Sequence, residues 1–351
     1  MDVLLYPFHN SLEAIMKYKH KVVFEMNIKY CVIPRAWKNT INLNYVDVTI
    51  DFENSLDKVD GVVILDCNEF QYMYSDVIKK IRKTLESNKK VFCFTKLQKS
   101  DYNAFIAEEK FHYYGDNDFE ETIPKYVPCE CVLIGIGGVS MKLNTNAVLI
   151  NLVEKLKDNE YNAVGISTDT STKLLGYTIF PDSIFEQNIS EENKIVNINC
   201  FFNKVHRNTC ADVIVFQMPD GMLKYSTQCY ERFGIRSYMV SQAVAVDYFI
   251  LDSVIDMINP DEYMELSREF KYKFGYAIDS IGMEKYRIDE ASSWEDEEIK
   301  LIKDSTDICE YITQCNKIMK DITAFSVDNC LSYTKLVEDI ISKLSGAVEK
   351  I

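Results

Sequence analysis

The stretch from Cys131 to Asp158, CVLIGIGGVSMKLNTNAVLINLVEKLKD, constrains the fold more tightly than the rest of the chain. An unbroken apolar run ends in glycines, a lysine follows, and a pattern with Leu149, Val153 and Leu156 on one face begins. The apolar run predicts a strand buried on both faces of a parallel sheet. The pattern after it predicts a helix that returns across that sheet. Strand, glycine turn and helix in this order bring backbone N–H groups together at a helix N-terminus, where an anion can sit.

The same alternation fills the first part of the chain. DVLLYPF, KYCVIP, DGVVILDC and VFCFTK read as strands. SLEAIMKYK, with Ser11 as its cap, YSDVIKKIRKTLESNKK and SDYNAFIAEEKF read as helices. This predicts a Rossmann-like α/β domain over residues 1–120. It has no dinucleotide fingerprint, because the first glycine of the chain is Gly61 and the turn PFHNS after the first strand carries none. The acidic, proline-bearing segment GDNDFEETIPKYVP, residues 115–128, marks a domain boundary. A second α/β domain is expected over 129–292, with strands at CVLIGIGG, YNAVGISTD and ADVIVFQMPDG and a helix at SEENKIVNINCFFNKVHR capped by Ser190. RSYMVS, AVDYFILDSVI and KYRID supply further strands or buried helix. From 293 to 351 the pattern becomes two amphipathic stripes, Ile308, Ile312, Cys315, Met319, Ile322 and Val337, Ile341, Leu344, Val348, Ile351. These predict a helical C-terminal extension whose stripes pack on each other or on the second domain. The alternative is a docking face for a partner or for a second copy, which would make a homo-oligomer.

A standard phosphate loop reads G-x-x-x-x-G-K-[ST]: backbone amides cradle the phosphates, the lysine reaches them, and the hydroxyl binds Mg²⁺. Here Gly135, Gly137, Gly138, Ser140 and Lys142 stand in that pattern, with Lys142 seven residues after Gly135, one more than the standard spacing. Met141 replaces the glycine before the lysine, and Leu143 replaces the metal-binding hydroxyl. The expectation is a degenerate P-loop-like domain with no cofactor and no metal; a phosphate or nucleotide retained at the helix N-terminus is the lesser alternative. Asp169, after the strand AVGIS, and Asp220, after VIVFQ, occupy strand ends where related enzymes carry a metal-binding carboxylate. Taken singly, an Asp or Gly at a strand end is a turn residue.

Other chemistry is sparse, and no catalytic residue is assigned. The four histidines form no metal-type pair, and Cys200, His206 and Cys210 match no zinc spacing. Cys129-Glu130-Cys131 places two sulfurs on one side of an extended chain, which fits burial or, less strongly, redox or metal use. The net charge of −15 argues against a nucleic-acid surface, which needs clustered Lys and Arg, and suits a cationic partner such as a peptide. No apolar run has the length of a membrane span, and the N-terminus lacks a basic region and a cleavage site. A cytoplasmic protein is expected, with its eleven cysteines as thiols.

Over residues 130–290, GIGGVSMK, FPDSIFEQNISEENKI, ADVIVFQMPDGM and FGIRSYMVSQAVAVD resemble, in order, an accessory protein family of ribosomal peptide maturation systems. Its members are encoded beside radical-SAM maturases of cysteine-rich peptides. The likeness extends more loosely to the first domain through LLYPF and does not reach the C-terminal helices. The longer loop also resembles that of dethiobiotin-synthetase-like P-loop proteins. The first resemblance implies an accessory that binds precursor peptide, its radical-SAM maturase, or both. The alternative is a nucleotide-dependent enzyme, an NTPase or ligase, with Lys142 on phosphate and Asp169 or Asp220 on metal.

Overall fold

The computed structural model describes residues 1–9, 12–34, 47–66, 70–115, 125–224, 226, 229–255, 257–296 and 299–348. Ser11 and most of the 115–128 boundary segment lie outside them. The chain divides into two compact units, Met1–Asp118 with Asp169–Ile179, and Phe119–Thr168 with Phe180–Ile351.

The first unit is built on strands β1 (Asp2–Tyr6), β2 (Asn27–Val32), β3 (Asp47–Thr49), β4 (Gly61–Ile64), β5 (Lys90–Cys93) and β6 (Phe111–Tyr113). They lie in the order β3-β2-β1-β4-β5-β6, and every paired neighbour is parallel. This is the doubly wound order of Rossmann folds, with its switch point between β1 and β4. Helices α1 (Glu13–Lys17), α2 (Phe52–Leu56), α3 (Phe70–Glu86) and α4 (Lys99–Phe105) connect the strands. Leu4, Val62, Ile64, Val77, Ile81 and Val91 share one core, so strand and helix faces seal each other from water. The short β3, β6 and α2 do not stand out in the sequence, because three to five residues carry too little periodicity.

The second sheet centres on β7 (Val132–Gly138), followed by α5 (Thr145–Asp158). Chain order continues through β8 (Ala163–Ser167), the two-residue β9 (Thr178–Ile179), α6 (Glu191–Thr209), β10 (Val213–Gln217), α7 (Ile235–Ala243) and β11 (Tyr248–Val254). Next come α8 (Glu262–Phe274), β12 (Ser280–Glu284), β13 (Tyr286–Ile288), α9 (Glu290–Asp296), β14 (Leu301–Lys303), α10 (Ile308–Ile318), β15 (Thr323–Ser326) and α11 (Cys330–Val348). The sheet has seven strands in the order β15-β12-β11-β7-β10-β8-β9, while β13 and β14 form an antiparallel hairpin-like pair. The pairings of β7 with β10 and β11, of β8 with β10, and of β12 with β11 and β15 are all parallel. β7 is therefore central, and its glycine end opens at the carboxyl edge of the sheet, where ligands of open α/β folds bind.

RSYMVS, open between strand and helix in the sequence, lies in α7, whose buried Ser237, Val240 and Ala243 recur at helical spacing. The C-terminal extension holds more than helix. The first apolar stripe outlasts α10: Met319 is its C-cap, and Ile322 leads into β15, which adds a strand beside β12. Asn316 of α10 hydrogen-bonds both the N–H and the C=O of Ala324, at 2.7 and 2.9 Å, and so occupies the outer edge of that strand. Cys315, Met319, Ile322 and Ala324 belong to the core cluster of the second unit. On α11 the fully buried stripe is Tyr333, Leu336, Val337 and Ile340, with Ile341 and Leu344 half-buried. The side chain of Val348 and all of Ile351 lie outside the described residues. Among the described residues no helix is long and apolar enough to cross a membrane.

Candidate functional site

β7 delivers Gly135, Gly137 and Gly138 to the carboxyl edge, and residues 139–144 turn into α5, whose N-cap Asn144 accepts from the Ala147 N–H. Gly138 is required by the turn itself, since a Cβ there would stand 2.5 Å from the carbonyl oxygen of Ser140. Gly137 is required by packing, since its Cβ would stand 2.6 Å from Met222. Ser140 is buried, Lys142 is half-buried and Met141 is exposed. Leu143, at the hydroxyl position of a working phosphate loop, is 7% exposed and belongs to the hydrophobic core. The residue that would have reached a metal holds the loop down instead.

The amides of Val139, Met141, Lys142, Leu143 and Asn144 have acceptors from within the chain. Val139 N–H donates to the Asp252 carbonyl at 2.9 Å and Leu143 N–H to the Ser140 carbonyl at 3.3 Å. Lys142 N–H donates to Ser140 Oγ at 3.1 Å. Two more donate to carboxylates: Met141 N–H to Glu231 Oε2 and Asn144 N–H to Glu284 Oε1, each at 2.6 Å. These short, charge-assisted contacts are the kind a bound phosphate would make. Glu231 thus supplies the loop with an internal anionic acceptor. It opens a run of left-handed residues, Glu231, Arg232, Phe233 and Gly234, with φ of 48°, 53°, 57° and 63°. Three of the four carry a Cβ, and each costs about 1–2 kcal/mol in that conformation. Tyr230 and Phe233 stack 5.2 Å apart, and both are about half exposed. With exposed Ile235 and Tyr238 they give this region an apolar, arginine-bearing rim.

Where a nucleotidase carries its metal carboxylate, the strand beside the loop ends in Gln217. Its Oε1 accepts from Ser167 Oγ (2.7 Å) and from Thr168 N–H (2.8 Å). Its Nε2 donates to Thr145 Oγ1 (2.8 Å) and Asn146 Oδ1 (2.9 Å). Ser167 Oγ also reaches Asn146 Oδ1 at 3.1 Å. The result is a neutral network with the amide satisfied on both sides, tying β8, β10 and the start of α5 together. Asp220 lies beyond it, on the other side of Met218. Its Oδ2 accepts from Arg236 N–H at 2.8 Å, and Oδ1 lies 3.7 Å from the Arg232 guanidinium. Burial raises its carboxyl above the usual range against the pull of both arginines. Asp169 accepts from Ser171 N–H at 2.8 Å and caps a short 3-10 turn, Thr170–Leu175, in the first unit. The structure therefore brings Gly135, Gly137, Gly138, Ser140 and Lys142 into one loop and gives Asp169 and Asp220 local structural partners.

Two buried carboxyl groups that no sequence motif marks lie next to the loop. Asp252 ends the run of β11 that pairs with β7, opposite Gly138, and Glu284 ends β12. Both are buried, at 0% and 4% exposure. Neither oxygen of Asp252 has an N–H or O–H donor from the rest of the protein. The two carboxyl groups act on each other's ionisation, and one proton between them relieves the repulsion. Burial, then the Glu284 charge, hold Asp252 well above the ordinary range, while burial pushes Glu284 up to about 7. Asp252 is accordingly the group that keeps its proton, while Glu284 accepts from Asn144 N–H. Asp328 adds further negative charge nearby. The available signal was an acidic residue inside each of two otherwise apolar runs, FILDSV and SIGME. Among the described residues no group of three or more His, Cys, Asp or Glu is arranged to hold a metal. A separate cleft of about 450 Å³, lined by Ile255, Met257, Arg287, Ile288, Asp289, Glu290 and Ile302, includes no residue of the loop.

No family model matches the chain, and no curated protein matches it. Among solved structures, a DUF1611 family protein from Anabaena variabilis aligns with a TM-score of 0.62 at 12% identity, over 97% of this chain and 99% of that one. The signal recognition particle 54 kDa protein from Aeropyrum pernix, in complex with GDP, aligns at a TM-score of 0.36 and 11% identity, over 64% of this chain and 50% of that one. HypB from Helicobacter pylori, in complex with nickel, aligns at 0.34 and 10%, over 61% and 86%. The first of these likenesses establishes the fold and nothing finer.

Proposed function

We propose that this protein is a binding accessory of a ribosomal peptide maturation system, engaging a precursor peptide, its radical-SAM maturase, or both, rather than turning over nucleotide. The observation that carries the first half of this reading is the state of the loop. Its Met141 and Asn144 amides are held by Glu231 and Glu284, its hydroxyl position is the core residue Leu143, and the adjacent strand ends in the neutral Gln217 network. Such a loop stabilises a fold edge and lacks the donor set for Mg²⁺-assisted phosphoryl transfer. The peptide setting rests on the ordered resemblance of GIGGVSMK, FPDSIFEQNISEENKI, ADVIVFQMPDGM and FGIRSYMVSQAVAVD to the accessory family. The exposed rim of Tyr230, Phe233, Ile235 and Tyr238 offers aromatic surface to a partner.

Co-purification with the candidate peptide and maturase tests the reading, at low and high salt, because a chain of charge −15 should hold a cationic partner less tightly as salt rises. Failure to retain either partner at low salt, with normal peptide modification in a strain lacking this protein, overturns it. The second reading, a nucleotide-dependent NTPase or ligase, is favoured by the retention of Gly135, Gly138 and Lys142 in one strand–loop–helix. Phosphate release with Mg²⁺ or Mn²⁺ that is abolished by Lys142→Ala would establish it in place of the first.

A further inference from the structure

At the opposite end of β7 from the loop, the chain enters the strand through Cys129-Glu130-Cys131. Seven strand residues separate the two places, roughly 20 Å at 3.3 Å per residue. In a straight strand, residues two apart have Cα atoms near the upper limit for a disulfide, about 6.6 Å. Here the backbone bends at Cys131 just before β7 begins, and the two sulfurs lie 3.5 Å apart. Both thiols are half-buried, reachable from solvent, and neither is bonded to another cysteine. His206 of α6 lies close enough to stabilise a charge on Cys129, and its Nδ1 is buried without a hydrogen-bond partner.

We propose that Cys129 and Cys131 form a redox-active dithiol that exchanges with a disulfide-bearing substrate, with Cys129 as nucleophile and Cys131 as the resolving thiol. The asymmetry follows from the pair itself. The two sulfurs share one hydrogen bond that either can donate; donation from Cys131, with His206 acting in the same direction, draws Cys129 below the ordinary thiol range. The same contact, burial and the Cys129 charge push Cys131 up, and Asp247 adds to the rise. His206 near Cys129 and the acidic Asp247 near Cys131 make Cys129 the readier of the two to ionise. In the first step the Cys129 thiolate attacks one sulfur of a substrate disulfide. A Cys129–substrate disulfide forms and the other substrate sulfur leaves as a thiolate, which takes a proton. Cys131 then loses its proton to solvent and attacks the Cys129 sulfur, and the second substrate thiolate leaves. The dithiol is oxidised to one disulfide, and the substrate disulfide is reduced to two thiols. The required movement closes 3.5 Å to the length of a sulfur–sulfur bond, which a side-chain rotation next to the bend can supply.

The experiment uses the full chain, because a tryptic peptide covering residues 126–142 contains both cysteines and no others. The protein is equilibrated with mixtures of reduced and oxidised glutathione, or with a synthetic disulfide-bridged peptide, then quenched in acid, alkylated and analysed by mass spectrometry. The expected result is a 126–142 peptide that resists alkylation and is lighter by two hydrogens, in proportion to the oxidant. Cys131→Ser should trap the substrate thiol on Cys129, and Cys129→Ser should react at least about tenfold more slowly. His206→Ala should shift the pH profile of Cys129 alkylation upward, a readout that a packing role would not move. Reaction with the peptide alone, or with glutathione alone, identifies which source of disulfide fits. If neither probe oxidises the pair, or if Cys129 alkylates no faster than the exposed Cys309 and Cys330, the assignment is overturned.

Discussion

Replacing Glu284 by Gln isolates the buried acid pair beneath the loop. Glutamine keeps an oxygen that can accept from Asn144 N–H, and it removes the ionisation. In the native protein burial moves the Glu284 carboxyl from its ordinary 4.5 to about 7. The folded state therefore holds a proton that the unfolded state has already released across that interval. Stability falls as pH rises wherever the folded state binds more protons, so this group costs nothing below about 4.5 and its full penalty above about 7. At 1.36 kcal/mol per pH unit the interval corresponds to about 3 kcal/mol. Asp252, raised by burial and by the Glu284 charge, adds to the decline at higher pH, and the substitution relieves that repulsion too. Asp328 is the other acidic group acting on both. The assay is urea unfolding followed by circular dichroism between about pH 4.5 and 8. The native side chain should lose about 3 kcal/mol more than Glu284→Gln across the range. Identical pH slopes for the two proteins would refute the shared-proton description, and a steeper slope for the variant would reverse its sign.

Gln217→Leu should destabilise the second unit by about 2–4 kcal/mol, because Ser167, Thr168, Thr145 and Asn146 lose a common partner inside the protein; a change below 0.5 kcal/mol in the same unfolding assay would contradict the network. Glu231→Ala should release the Met141 amide and speed its hydrogen exchange, leaving exchange in β7 unchanged; equal rates in both proteins would show that the carboxylate does not hold the loop. Truncation after Ser293 should lower the melting temperature and promote aggregation, because it removes β15, opens the edge of β12 and uncovers the surface beneath Cys315, Met319 and Ile322; an unchanged, monodisperse product would make the C-terminal segment an independent module.

What the sequence by itself determined was the class of fold and the position of the glycine loop within it. Apolar runs alternating with helical patterns specify parallel α/β sheets, because strands covered by helices on both faces must be apolar throughout. The strand–glycine–helix stretch marks β7 and α5, and Leu143 and Met141 stand where a standard loop has its hydroxyl and glycine. The tertiary structure alone decided what meets that loop. Glu231 lies ninety residues from Met141, and Glu284 a hundred and forty from Asn144, so no local pattern relates them. Their pairing depends on β11 and β12 stacking in order beside β7, and on a left-handed turn at 231–234 that residues bearing a Cβ do not advertise. The same limit hid β15: a four-residue strand after an amphipathic run has no periodicity of its own, and only the open edge of β12 gives it a place to pair. Acidity at Asp252 and Glu284 reads as solvent exposure in a sequence. It becomes a shared buried proton only when folding removes the water that would otherwise have kept both groups charged.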